Sequence, residues 1–171
     1  TLFRSGTGAI REWAVKEYSE NNEHRHISHL YCAWPAHEAR SDKKLLNACN
    51  QAVENRNREN TGIDDTASHG WLHKALAAAR LGNGRSAYEI LHTILTSDIY
   101  YTSFMTDHDT NRRNGVYCTD TSIGITGVIQ EMLLYSCEGV ITVLPALPPE
   151  WKKGCINGLM ARTRARVNEL Q

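Results

Sequence analysis

The spacing of apolar residues predicts that the middle of the chain is built from helices. The first long helix follows Asp42, a residue typical of an N-cap, and is predicted to run to about Arg58. Its apolar residues recur at helical spacing and share one face: Leu45, Leu46, Cys49 and Val53. A shorter helix is predicted over residues 10–18, inside a stretch that is otherwise polar and irregular.

Two further helices are predicted to form an αα-hairpin. The first begins near Ser68, which we assign as its N-cap, and ends at Gly82. The second carries an apolar face that comprises Ala87, Ile90, Leu91, Ile94 and Leu95. Because the connection over residues 82–84 is so short, the two helices must lie antiparallel.

A long aperiodic segment, residues 98–121, separates this hairpin from a fourth predicted helix. The segment is rich in aromatic residues, which argues against disorder, and loops of this length in compact domains are commonly functional. The fourth helix is predicted over residues 122–136. In an earlier loop, we assign Asp64 and Asp65 to capping and solvation.

The pattern changes to that of β-strands after Gly139. Residues 140–143 have the composition of a strand, and residues 159–167 alternate like one. So few strands do not form a stable sheet alone. We therefore predict a mainly α chain with a helical part, residues 1–138, and the start of a β domain, residues 139–171.

The composition argues against several classes of function. The 171 residues are 41% hydrophobic, and Lys plus Arg and Asp plus Glu number 19 each, so the formal net charge is zero. Zero charge argues against a nucleic-acid-binding module and a polybasic membrane anchor. No stretch reaches the roughly 18 apolar residues of a membrane helix. The five cysteines are odd in number and lack a CxxC motif, which predicts free thiols and no thiolate zinc site.

A histidine-rich stretch is the first candidate for chemistry. It contains His24, Arg25, His26 and His29. Imidazole and guanidinium groups suit sugar hydroxyls or carboxylates, because guanidinium donates hydrogen bonds in a fixed fork. A His-x-His pair with a third histidine nearby is also compatible with zinc binding. A structural role, in which these side chains cap a helix or loop, is a third alternative.

Two more histidines, His69 and His73, are four residues apart on a predicted helix. A zincin helix has His-Glu-x-x-His, whereas Gly70 stands here in the position of the glutamate. We therefore favour a packing or rim position for this pair over metal binding.

A carboxylate, Asp120, directly precedes the fourth predicted helix. A helix N-terminus favours the ionised form of such a group. Two alternatives follow: Asp120 caps the helix, or it orients or activates another group in a cleft.

Four segments together resemble glycoside hydrolase family 95, the inverting α-L-fucosidases and their α-L-galactosidase relatives. The segments are HRHISHLYCAWP (24–35), HGWLHKALAAARLGNGRSAYEIL (69–91), TDTSIGITGVIQEMLLYS (119–136) and LPALPPEWKKGCINGLMAR (144–162). Their order and spacing agree with the family, and the first and last are its specific motifs. The resemblance implies that this chain corresponds to the last helices of an (α/α)6 catalytic toroid and the start of a C-terminal β domain.

The resemblance also implies a mechanism. In the family a glutamate is the general acid, and an asparagine polarised by an aspartate is the base. Asp120 matches that aspartate, and Arg25 with His26 matches a sugar-contacting pair. The glutamate and the asparagines are expected upstream of Thr1, so the isolated chain is expected to be inactive. The expected partner is a fucosylated oligosaccharide or glycan, with no cofactor or metal and no nucleic-acid or membrane partner.

Some positions depart from the family pattern. Its Asp-Gly-Asn-Phe-Gly sequence is replaced by residues 120–124, and its His-Pro-Pro stretch by residues 106–118. We assign His108 to the place of the family histidine, and Trp71 of the glycine-tryptophan helix as another sugar contact. Two alternatives stay open, a non-catalytic helical carbohydrate-binding or interaction module and a histidine metal protein. The compartment is left open among secreted, periplasmic and cytoplasmic.

Overall fold

The computed structural model describes residues 4–60, 67–109 and 115–170, so Asp64 and Asp65 lie outside the described residues. Within these ranges the elements are a 3₁₀ helix Ser28–Leu30, α1 Glu38–Ser41, α2 Lys43–Glu59, α3 Ser68–Arg80, α4 Gly84–Thr96, α5 Thr119–Leu133, β1 Leu134–Cys137, β2 Val140–Val143, β3 Ile156–Met160 and β4 Arg166–Leu170. The prediction of a mainly α chain that ends in β-strands is confirmed.

Helix α2 forms as predicted. The Asp42 carboxylate accepts hydrogen bonds from the backbone N–H of Lys44 at 2.7 Å and of Leu45 at 3.2 Å, as an N-cap should. Apolar residues of its inner face, Leu45, Cys49 and Val53, are buried.

The helical hairpin of α3 and α4 is also confirmed, with one correction. Gly82 has a φ of +78° in the connecting turn, and the Asn83 side chain caps α4 by accepting from the backbone N–H of Ser86 at 3.0 Å. The predicted N-cap Ser68 is wrong, because Ala67 holds that position. Ser68 is the first helical residue, and its hydroxyl instead donates to the Asp107 carbonyl at 2.8 Å.

The short helix predicted over residues 10–18 is wrong. This segment forms turns and bends. The Arg11 guanidinium donates to the carbonyls of Val15, Lys16 and Tyr18 at 2.6 to 3.3 Å. These carbonyls therefore obtain hydrogen-bond partners without a helix.

The fourth long helix, α5, begins and ends three residues before the predicted bounds. Its first residue is Thr119 and its last is Leu133. The chain then turns at Gly139, where φ is +73°, and β1 pairs antiparallel with β2. Residues 134–136, predicted as helix, are thus the first strand of a hairpin. Residues 138 and 139 form the turn that joins the two strands of this hairpin.

The single strand predicted over residues 159–167 is wrong. Two strands, β3 and β4, pair antiparallel and are joined by a turn in which Arg164 has a φ of +64°. The turn is closed by a hydrogen bond from the backbone N–H of Ala161 to the Ala165 carbonyl at 2.8 Å. Side chains alternate in both strands on either side of the turn, so the sequence pattern alone did not reveal the turn.

The hydrophobic core lies among the four long helices, with α3 packed against both α4 and α5. Its fully buried side chains include Val53, Ala75, Ala78, Ile94, Val128 and Met132. Among the helices of the described ranges, none combines the length and the hydropathy of a membrane span.

A buried ionic network joins the helices to the β segment. Glu131 of α5 accepts two hydrogen bonds from Arg80 of α3, at 3.0 and 2.9 Å, and a further one from Arg162 in the β segment. Arg162 also donates its backbone N–H to the Ser136 hydroxyl at 2.7 Å. The glutamate therefore fixes both α3 and the β segment to α5.

Candidate functional site

Five histidines from three separate segments converge near the start of α3. We call His24, His26, His69, His73 and His108 the histidine cluster. His69 is at its centre: its ring centroid lies 5.6 Å from that of His26, 6.0 Å from His73 and 4.9 Å from His108. The His24 ring lies 5.0 Å from His26 on the outer side.

The contribution of α3 follows from its helical geometry. Residues four apart share one face of a helix, so His69 and His73 point to the same side. Between them, Gly70 lets the histidine-rich stretch approach closely. A Cβ at position 70 would lie 3.1 Å from the Arg25 carbonyl oxygen and 3.3 Å from the Arg25 Cβ. The missing side chain therefore brings Arg25 and His26 against α3.

The histidine-rich stretch is held from behind by the C-terminal end of α2. Arg56 is buried and donates a hydrogen bond to the His24 carbonyl, while it pairs with Glu12 at 2.8 Å. Asn60, which follows the helix, donates to the Glu23 carbonyl. Because both acceptors are main-chain oxygens, the path of the backbone itself is fixed.

A chain of hydrogen bonds joins the starts of α3 and α5. The Thr121 hydroxyl donates to the Ser68 hydroxyl at 2.9 Å, and Ser68 donates in turn to the Asp107 carbonyl. The backbone N–H of Ser68 donates to the His108 carbonyl at 2.9 Å. The beginnings of both helices and the loop that carries His108 are thereby fixed together.

Asp120 is the second residue of α5 and is exposed. It does not cap the helix, because Cys118 occupies the N-cap position and no side chain caps this helix. Burial lowers the pKa of His69 and His73, and the nearby Asp120 carboxylate opposes part of that shift. Asp120 therefore lies close enough to His69 and His73 to favour their charged forms.

The charge state of three histidines of the cluster, His26, His69 and His73, follows from their surroundings. Desolvation lowers the pKa of His26, and the neighbouring Arg25 guanidinium lowers it further. Together with the lowered values of His69 and His73, this favours neutral imidazoles at pH 7. A neutral imidazole both donates and accepts hydrogen bonds, which is the capacity needed to bind hydroxyl groups.

An open cavity of about 270 Å³ lies beside the cluster, and we call it the Trp34 cavity. Its lining residues are His26, Ile27, Ser28, Tyr31, Trp34 and His73. The Trp34 ring stacks on His73 with centroids 5.7 Å apart. Apolar ring faces beside imidazole and hydroxyl groups suit a sugar, which has both C–H faces and hydroxyls.

His108 is oriented by its neighbour in sequence. Its Nδ1 lies 2.6 Å from the Asp109 carboxylate, which favours a proton on Nδ1. The other ring nitrogen, Nε2, is then the one available to a ligand. The structure thus brings Arg25, His26, His108 and Asp120 to one end of the helical part.

Trp71 lies elsewhere. It is two residues beyond His69, about 200° around the helix, and lines a separate cavity with Asn57 and Lys74. His29, from the same stretch as His26, lies in the 3₁₀ helix, where burial lowers its pKa to about 4. Among the described residues, no group of three or more His, Cys, Asp or Glu side chains is arranged to hold a metal ion.

Sequence reasoning did not assign His69, His73 or Trp34 to the site. The spacing of the two histidines already placed them on one helix face. No signal in the sequence showed that this face meets the histidine-rich stretch, because that contact depends on Gly70 and on the anchoring by α2. No local sequence pattern indicated that Trp34 belongs to the site.

The structure thus has a helical part followed by small antiparallel sheets, with imidazoles of the cluster lining an aromatic cavity at one end. The comparisons with known proteins assign this arrangement to a family of glycoside hydrolases. The family model described as the glycosyl hydrolase family 95 catalytic domain matches residues 4–133. The model for the C-terminal domain of the same family matches residues 135–169. The chain belongs to glycoside hydrolase family 95, as its motifs predicted.

Individual relatives agree with this assignment. The chain is similar to alpha-L-fucosidase 2 of Arabidopsis thaliana, with 32% identity over 179 residues that cover 96% of this chain and 20% of the relative. It is also similar to the probable alpha-fucosidase A of Aspergillus oryzae, with 27% identity over 94% of this chain and 25% of the relative. The chain thus spans a fifth to a quarter of the length of these curated relatives.

Proposed function

We propose that this chain forms part of a glycosidase that removes terminal α-L-fucosyl, or α-L-galactosyl, residues from glycans with inversion at the anomeric carbon. The observation that carries the proposal is the position of His69. Its ring lies between those of His26 and His108, and Asp120 acts on it electrostatically. Three segments far apart in the chain therefore supply polar groups to one place.

The role proposed for Asp120 is to polarise an asparagine supplied by a part of the enzyme upstream of Thr1. Among the described residues, the hydrogen-bond partner of its carboxylate is the Cys118 thiol, at 4.0 Å. Such a weak contact leaves the carboxylate oxygens available to an approaching amide. An N–H that donates to Asp120 would draw electron density onto the amide oxygen, which could then accept a proton from the attacking water.

Arg25, His26 and His108 are proposed to bind the sugar. Neutral His26 can donate to or accept from a hydroxyl, and the Asp109 carboxylate orients the ring of His108. Trp34 would support the apolar face of the sugar ring in the Trp34 cavity. A sugar contact by Trp71, at its separate cavity, stays a prediction.

The experiment follows hydrolysis of an aryl α-L-fucoside by NMR, with the full-length enzyme and its Asp120→Asn variant. The β anomer of the sugar should appear first in the wild-type reaction, because single displacement inverts the centre. Asp120→Asn should lower kcat by about 10²–10⁴-fold, the range typical of lost acid–base assistance. The exposed control Glu150→Gln should retain wild-type turnover.

Two outcomes would contradict the proposal. If the α anomer of the sugar appeared first, the reaction would not invert the anomeric carbon. If Asp120→Asn retained near-normal turnover, Asp120 would have no role in the mechanism. A full-length protein that binds fucosides without hydrolysing them would instead support the non-catalytic carbohydrate-binding module.

A further inference from the structure

Two cysteines that are far apart in sequence lie side by side in the structure. Cys32 follows the 3₁₀ helix, and Cys49 is in the middle of α2. Their Sγ atoms are 3.6 Å apart. A disulfide bond needs a separation of about 2 Å, so the two sulfur atoms must approach by roughly 1.5 Å.

The two thiols differ in exposure and in acidity. Cys49 is fully buried, whereas Cys32 is partly exposed. The hydrogen bond from the Cys49 thiol lowers the pKa of Cys32 to about 7, and the same interaction together with burial raises the pKa of Cys49. Cys32 is therefore the thiol that forms a thiolate near neutral pH and that a reagent can reach.

We propose that Cys32 and Cys49 form a reversible redox pair, which a low-molecular-weight disulfide such as glutathione disulfide converts into an intramolecular disulfide. In the first step, the Cys32 thiolate attacks one sulfur of glutathione disulfide and releases one glutathione thiolate. In the second, the Cys49 sulfur attacks Cys32 Sγ and displaces the second glutathione, which takes up the proton that Cys49 loses. Two protein thiols are oxidised and one small disulfide is reduced to two thiols.

The position of this pair gives the disulfide a structural consequence. Tyr31 and Trp34, on either side of Cys32, line the Trp34 cavity. Cys49 lies in α2, the helix that carries Arg56 and so anchors the histidine-rich stretch. Oxidation would therefore tie one wall of the cavity covalently to the helix behind it.

The experiment treats the native, reduced protein with glutathione disulfide at neutral pH, blocks the remaining thiols and maps tryptic peptides without reduction. We expect peptide 26–40 to be joined to peptide 45–56 in a product that retains no glutathione. Added dithiothreitol should separate the two peptides. The oxidised protein should also show a higher Tm than the reduced protein, because the cross-link restricts the unfolded chain.

Single substitutions distinguish the attacking thiol, Cys32, from the resolving thiol, Cys49. Cys49→Ala should trap one glutathione on Cys32, because the resolving thiol is gone. Cys32→Ala should leave Cys49 unmodified, because that thiol is buried. The matched control Cys137→Ala should form the same cross-link as the wild type.

Three results would overturn the proposal. One is wild-type protein that keeps glutathione on Cys32 while Cys49 stays reduced. Another is native protein in which neither cysteine reacts. The third is a cross-link that forms as fast in urea-unfolded protein as in native protein, since native proximity would then be irrelevant. Peptide mapping of the wild type decides among these even if a variant fails to fold.

Discussion

Glu131 is a buried carboxylate on which two ionic contacts depend. Only 5% of it is exposed, and both Arg80 and Arg162 donate to its carboxylate. Burial alone would raise the pKa of Glu131, but the hydrogen bonds from these two arginines outweigh it and hold the pKa below the usual range. The carboxylate is therefore ionised in the folded protein.

Glu131→Ala is expected to lower the free energy of unfolding by about 3–5 kcal/mol, because it leaves the Arg80 guanidinium buried without its counter-ion. Urea denaturation of the variant and the wild type measures this difference. The control is Arg58→Ala: Arg58 pairs with Glu59 on the surface, and we expect a loss within about 1 kcal/mol. Equal losses from both variants would show that burial of the ionic network carries no extra stability.

The same carboxylate predicts a pH dependence. Because its pKa is depressed by folding, its contribution is complete above the ordinary pKa of a glutamate and is lost as pH falls through the folded value. The stability difference between wild type and Glu131→Gln should therefore shrink on acidification. A difference that stays constant from neutral to strongly acidic pH would contradict this assignment.

The electrostatic link between Asp120 and the histidine cluster is testable by NMR titration of histidine-labelled protein. Asp120→Asn removes a charge that raises the pKa of His69 and of His73, so both values should fall further below 6.5. His37 is an internal control, because burial and the nearby Arg80 and Arg162 lower its pKa. Unchanged titration of His69 and His73 would place Asp120 outside their electrostatic reach.

At this scale, sequence reasoning assigned Arg25, His26 and Asp120 from motifs, and His108 from the family resemblance although its offset differs. The structure places these four residues at one end of the helical part, and their roles stay predictions. Sequence reasoning did not assign Trp34, whose proposed role depends on the stacking contact with His73. Such a contact joins segments about forty residues apart, and no local pattern encodes it.

Two glycines permit close contacts of α3, one with the histidine-rich stretch and one with α5. Gly70 faces the backbone of Arg25, and Gly124 of α5 faces Leu72, where an added Cβ would lie 2.3 Å from a methyl carbon. In contrast, Gly127 of the same helix has no heavy atom within 4 Å of the position of a Cβ. These glycines provide a matched set for substitution.

Gly70→Ala is expected to displace Arg25 and His26 from α3, since the obstacle is a main-chain oxygen at 3.1 Å that cannot rotate away. In the full-length enzyme, kcat/KM for an aryl α-L-fucoside should fall roughly tenfold, as small misplacements of binding groups are costly. Gly127→Ala should keep wild-type kcat/KM and gain up to about 1 kcal/mol of stability from helix propensity. Wild-type kinetics of Gly70→Ala would show that this contact does not position the sugar-binding pair.

Periodicity predicted those helices that have a continuous apolar face and a cap. It gave α2 with its Asp42 cap and the hairpin of α3 and α4. It was wrong for residues 10–18, where the Arg11 guanidinium satisfies the carbonyls that a helix would have used. It was also wrong at the end of α5, since residues 134–137 pair with β2 across a glycine turn and thereby gain ladder hydrogen bonds.

At the scale of the whole molecule, the described residues provide one side of the proposed site. The one glutamate of α5, Glu131, is held between two arginines and is not available to donate a proton to a leaving group. Asp120 is exposed with its carboxylate oxygens available. The proposed function accordingly needs a general acid from another part of the full-length enzyme.

The 171-residue chain expressed alone should not hydrolyse aryl α-L-fucosides above background, whereas the full-length enzyme should. Circular dichroism is needed beside the assay, so that a folded but inactive chain is distinguished from an unfolded one. Robust hydrolysis by the isolated chain, lost on Asp120→Asn, would show that a general acid is present within it.

The anchoring of the histidine-rich stretch has a consequence for protein engineering. Arg56 and Asn60 hold the main-chain oxygens of residues 24 and 23, not their side chains. The exposed Glu23 side chain can therefore be exchanged while the backbone keeps its path beside the cluster. Position 23 is accordingly suitable for a library that tests sugar preference without redesigning the scaffold, whereas the His24 ring packs on His26 and belongs to the cluster itself.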